Sequence, residues 1–178
     1  MNTKRNLSMA LAVGLFVSGA SVAADDLEAR IAHARKAAPA SISADATIMV
    51  DGKVVGEGSN GWTCMPDTMP SDGAAMCNDA IWMKMMNAMA NKEDFDAEGV
   101  GISYMLLGDI GAGVSNATPY HPDPKNADDY VETGPHLMIA VPKALLKGMT
   151  DDFKSGGPYV MWGDTPYAHI MVPVADIE

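Results

Sequence analysis

Tyr159-Val160-Met161-Trp162-Gly163-Asp164-Thr165-Pro166-Tyr167-Ala168-His169-Ile170-Met171-Val172-Pro173-Val174 is the stretch on which the fold turns. Residues 159–162 and 169–174 are short apolar runs with aromatic and β-branched side chains, the composition of strands, and Gly-Asp-Thr-Pro between them is turn chemistry. So short a connection has no room for the crossover helix that parallel neighbours require, and the two runs are expected to pair antiparallel. Working upstream, residues 136–141 read as another strand and residues 100–107 as a mostly apolar, hence central, one. Residues 46–50 and 53–56 flank Asp51-Gly52, the strongest short-range hairpin signal.

Helices are fewer. Residues 25–38 set Leu27, Ile31 and Ala34 on one modest stripe that Pro39 ends. Residues 79–93 carry Trp82, Met85, Met86 and Met89 at i, i+3, i+4 and i+7, with Asn78 or Asp79 as the cap. Residues 143–149 form a short helix after Pro142. Residues 108–134, with Pro119, Pro122, Pro124 and the pair Asp128-Asp129, read as one long loop, a length that is often functional. Strands outnumber crossover helices, so the expectation is a single α+β domain with a mostly antiparallel sheet and helices packed on one face.

Residues 1–23 read as a secretory signal. Lys4 and Arg5 precede an apolar stretch from Leu7 to Val17, and Ser21-Val22-Ala23 offers a cleavage site before Ala24. The exported domain is then residues 24–178, periplasmic or secreted and free of the membrane after cleavage, with a size suited to one core. Cleavage removes two of the 12 basic residues and none of the 23 acidic ones, leaving 10 against 23 and a formal charge of −13. With no basic stripe in that acidity, nucleic acid and anionic membrane surfaces are excluded as partners. The sequence sets no oligomeric state.

Cys64 and Cys77 are the only cysteines, and both lie in the exported part, where an oxidising compartment lets a disulfide persist. The loop they close holds Pro66, Pro70 and Gly73 and has little structure of its own, so loop-closure entropy makes the bond worth ~3 kcal/mol.

The chemistry that stands out is written twice, as His136-Leu137-Met138 and His169-Ile170-Met171. Residues two apart on a strand share a face, so each run turns one imidazole and one thioether to the same side. Imidazole and thioether suit copper(I), whereas calcium and magnesium demand oxygen ligands. His136, Met138, His169 and Met171 are therefore the candidate metal ligands, brought together if the strands are neighbours. In this reading Leu137, Ile139 and Val141, with Ile170, Val172 and Val174, form the core side. The His-Met side then faces solvent, a covering helix or a cleft.

The exported part also holds 13 of the 15 methionines, seven of them from Met65 to Met89. Those on the Trp82 stripe read as core. Met65, Met69 and Met76 in the disulfide loop are the exception, available to a soft ion or an apolar partner. A second reading is a non-catalytic binding module for a small molecule or peptide, with Trp62, Trp82, Tyr120 and Trp162 lining a groove. A third is a hydrolase-like enzyme built from His121, Asp123 and Ser115, or from His136 and His169 with Asp109. No G-x-S-x-G or H-E-x-x-H motif supports catalysis, and no context marks a nucleophile or base.

The phrases Asn60-Gly61-Trp62-Thr63-Cys64, Gly134-Pro135-His136-Leu137-Met138, Gly156-Gly157-Pro158-Tyr159-Val160-Met161-Trp162 and Thr165-Pro166-Tyr167-Ala168-His169-Ile170-Met171-Val172-Pro173 occur together. On them the chain resembles a family of small secreted bacterial proteins with no assigned function, over residues 46–174. The resemblance implies export and no substrate, cofactor or catalytic residue.

Overall fold

The computed structural model describes residues 19–175, with side chains from Ala24 onward. Most of the expected leader, residues 1–18, lies outside the described residues, and its last five begin the first helix. That helix, α1, spans Gly19–Arg35, and the short α2, Ala40–Ser43, follows Pro39. Strands β1 (Thr47–Val50) and β2 (Lys53–Gly56) form the expected hairpin. Its turn residues Asp51 and Gly52 both have positive φ, 50° and 72°, as a tight turn that follows the twist of its strands requires.

The disulfide loop is not all loop. Its ends are strands β3 (Thr63–Met65) and β4 (Met76–Asn78), antiparallel neighbours that place Cys64 directly opposite Cys77, and the two are bonded. Helix α3 (Ala80–Asn91) starts at Asp79, whose carboxylate accepts from the Trp82 backbone N–H at 2.8 Å. It ends at Lys92 in the left-handed conformation, whose N–H turns back onto Ala88 and Met89. Strand β5 (Gly101–Met105) follows.

The long stretch 108–134 contains a two-stranded ribbon, β6 (Val114–Ser115) with β7 (Tyr130–Val131), around a 3₁₀ turn at Pro124–Asn126. Strand β8 is His136–Ala140, and the helix expected over 143–149 is a single 3₁₀ turn, Lys143–Leu146. Strands β9 (Tyr159–Met161) and β10 (His169–Pro173) close the chain as the antiparallel pair expected from their short connection.

Eight strands make one sheet in the order β2-β1-β3-β4-β5-β8-β10-β9, antiparallel throughout except for β1 beside β3. The fold is α+β with a mostly antiparallel sheet. Alternation gives it two faces, and each long helix takes one of its own. α1 lays Ala34 against Ile48, Cys64 and Cys77, and α3 lays Trp82, Met85 and Ala88 against Met76, Met105, Met138 and Met171. Among the described residues no helix is long and apolar enough to cross a membrane. The disulfide is compatible with an extracellular location.

Candidate functional site

β8 and β10 lie side by side with Met171 paired to Met138 and Pro173 to His136. Extending that register sets His169 across from Ala140. The four expected ligands thus share a face, with the thioethers paired in the middle and the imidazoles at opposite ends. Four residues along the strand at ~3.4 Å each put the two histidine α-carbons ~14 Å apart. Each imidazole instead has a methionine directly across on its other neighbouring strand: Met105 opposite His136, and Met161 opposite His169. Sequence reasoning missed both. The signal was present in the alternation Ser103-x-Met105 and Tyr159-x-Met161, but it needs the strand order to be read.

The burial of the two faces differs from the expected one. His136, Met138, Ala140, His169 and Met171 are buried, while Leu137, Ile139, Ile170 and Val172 on the aliphatic side are only half-buried. The reason is α3. Its Trp82 and Met85 need an apolar surface, and the broad methionine side of β5, β8 and β10 supplies it. The aliphatic side is covered by a smaller cluster of Leu146, Val160 and Ala168.

Both imidazoles are fully buried and arranged alike. His136 Nδ1 lies 2.7 Å from the Gly134 carbonyl and His169 Nδ1 2.9 Å from that of Tyr167. A carbonyl can only accept, so each Nδ1 carries the hydrogen and each Nε2 keeps its lone pair. Neither Nε2 has a hydrogen-bond partner in the protein. His169 stands edge-on to two indoles, Trp82 and Trp162, at centroid distances of 5.1 and 5.0 Å. Desolvation pushes the His136 pKa down and that of His169 to about 4, the backbone bond opposing and the nearby His136 adding to the effect on His169. Both rings are neutral at pH 7. A carbonyl-anchored Nδ1–H that fixes a free Nε2 is the arrangement of a metal-binding histidine, and a thioether beside it makes the donor set a soft one.

Among the described residues no three His, Cys, Asp or Glu side chains gather so as to hold a metal ion. The residues offered for catalysis do not assemble either. Ser115 gives its hydroxyl hydrogen to Asp129 at 2.8 Å, and His121 Nδ1 accepts from the Asp123 backbone at 3.2 Å. No hydrogen bond among the described residues joins a histidine to a carboxylate. Asp109 is buried and bonds to the backbone of Thr133 on the approach to β8. The four aromatic residues of the binding-module reading are dispersed. Trp62 stacks near Tyr104 on the disulfide face, Trp82 and Trp162 flank His169 on the other, and Tyr120 bonds to the Met89 carbonyl at the end of α3.

No protein-family model matches the chain, and no curated protein or solved structure matches it.

Proposed function

We propose that this chain is an exported domain that binds a soft monovalent metal ion, copper(I), through the His-Met face of β8 and β10. The paired thioethers of Met138 and Met171 lie at the centre of that face, and at each end an imidazole and its cross-strand thioether, His136 with Met105 and His169 with Met161, offer a soft donor pair. The observation that carries the reading is the pair of buried Nε2 lone pairs, each fixed in place by its own backbone carbonyl and each without a protein partner. An unsatisfied buried acceptor is costly, and two of matching geometry on one methionine-lined face, each beside a thioether, argue for a soft ligand at that face. The disulfide supports the exported half of the reading, because it belongs to an oxidising compartment.

Anaerobic competition for copper(I) against a chromogenic chelator tests this. The wild-type chain is expected to take up copper(I), and His136→Ala with His169→Ala to weaken binding by roughly 100-fold, on the scale of losing ligand-shell interactions. The volume-conserving pair Met138→Leu and Met171→Leu keeps the core filled and should weaken binding as well. Unchanged affinity in both pairs overturns the proposal.

A further inference from the structure

Across the sheet from the histidines, the turn of the β1–β2 hairpin and the first part of the disulfide loop form the walls of a cleft of about 270 Å³. Met49, Met65 and Met69 line it together with Asp51 and Asp67. Arg30 of α1 joins the two walls, bonding to both oxygens of Asp51 at 2.7 Å and to Asp67 Oδ2 at 2.9 Å. The remaining Asp67 oxygen accepts from the Gly73 backbone N–H at 2.9 Å. All four carboxylate oxygens are therefore engaged by N–H donors, and the Arg30 guanidinium beside them offsets their charge toward a hard cation. The three thioethers are left as the free donors, and Met69 is 68 % exposed.

This cleft continues inward as a row of sulfur atoms. Register places Met65 opposite Met76 and Met105 opposite His136. The β4–β5 pairing, continued by one residue, places Met76 opposite Met105, and the β1–β3 pairing, continued likewise, places Met49 beside Met65. Successive strands therefore present Met49, Met65, Met76, Met105 and His136 on one face and in one line, with Met65, Met76 and Met105 buried in the same core cluster and Met49 packed against it. At ~4.8 Å per strand the row spans ~19 Å, with each donor next to the following one.

We infer that the Met49-Met65-Met69 cleft is the loading port for copper(I), and that the methionine row passes the ion to His136. The inference rests on the copper(I) reading above and deepens it by giving the buried imidazoles a route to solvent. Transfer is ligand exchange alone. Each step forms one copper–sulfur bond as the previous one breaks, copper stays in the +1 state, and the last step replaces a thioether by the His136 Nε2 lone pair. Copper(I) is the fitting cargo because thioether is a soft ligand and the row offers no hard one.

The test follows uptake from a copper(I) complex of bicinchoninate by stopped-flow absorbance, alongside the equilibrium affinity. Met49→Leu with Met69→Leu is expected to slow uptake at least about tenfold, a modest rise in barrier, while leaving the final affinity unchanged. Met105→Leu, which interrupts the row inside the core at constant volume, should slow uptake as well, and as the neighbour of His136 it should also lower the final affinity. If wild-type affinity depends on the histidines but uptake is unaltered in both variants, the port is overturned and the buried site stands. If affinity is lost with Met49→Leu and Met69→Leu but is indifferent to His136→Ala and His169→Ala, the cleft is the binding site and the transfer route is overturned. A wild-type chain that takes no copper(I) overturns both.

Discussion

Two buried ionisable side chains near the sheet pull stability in opposite directions as pH changes. His169, with its pKa near 4 in the fold against 6.5 when free, binds fewer protons folded than unfolded between those values, so its contribution is lost as pH falls through that window. Asp109 is the reverse case. Burial raises its carboxyl to about 6, against the bonds that the Thr133 and Asp109 backbone offer it, so the folded chain holds a proton that the unfolded one releases between 3.8 and 6. Its contribution is present at acid pH and lost as pH rises through that range. Asp109→Asn keeps the acceptor for the Thr133 N–H and removes the charge. At pH 7 the variant is expected to be more stable than wild type by up to ~3 kcal/mol, and at pH 3.5 to differ little from it. Urea midpoints at the two pH values decide the matter, and equal midpoints at pH 7 would show that the carboxylate is not desolvated.

The contact between α3 and β5 holds the methionine face together, and it depends on one missing side chain. A Cβ at Gly101 would stand 2.7 Å from Ile81 Cγ2 and 3.2 Å from the Trp82 backbone nitrogen, so the helix can lie this close only over a glycine. Asp79 fastens the same joint, with one oxygen capping α3 through Trp82 and the other accepting from the Ile102 N–H of β5 at 2.8 Å. Gly101→Ala is expected to cost ~1–3 kcal/mol, the range for overpacking a core, and to lift α3 from the sheet. Quenching of Trp82 fluorescence by acrylamide should rise with the loss of stability, and a variant as stable and as shielded as wild type would refute the argument. At this scale much was legible. The helix register of Trp82 and Met85, its cap at Asn78 or Asp79, which the fold gives to Asp79, the Asp51-Gly52 hairpin and the β9–β10 pairing all depend on neighbours in sequence. The strands of the disulfide loop were not legible, because three-residue strands such as Thr63–Met65 have no period to detect and take their conformation from partners. The 3₁₀ turn at Lys143–Leu146 was overread as a helix because Leu145 and Leu146 follow a proline, which starts a turn and a helix equally well.

For the molecule as a whole, the candidate site was legible as residues and not as an arrangement. That His136 and Met138 share a face follows from a period of two. That their face is the more deeply buried one, that Met105 and Met161 stand across from the imidazoles, and that Met65 and Met76 continue the row all depend on strand order, which long-range packing sets. The same order gives the disulfide a larger role than closing a loop. Cys64–Cys77 bridges β3 and β4 at directly paired positions within the sheet, on the face that α1 covers. The pairings on either side, β1 with β3 and β4 with β5, have two paired positions each, so the cross-link contributes both its loop-closure entropy and the adhesion of this thinly paired end of the sheet. Cys64→Ser with Cys77→Ser is expected to lower stability by ~2–4 kcal/mol. Because the bond lies under α1, while β8 has four paired positions with β10 and five with β5, hydrogen exchange should accelerate first in β1, β3, β4 and α1 while β8 and β10 keep their protection as a separate cooperative unit. A uniform loss of protection across the sheet would mean that the eight strands open together. Protection lost only in residues 66–75 would confine the bond's effect to the loop it closes.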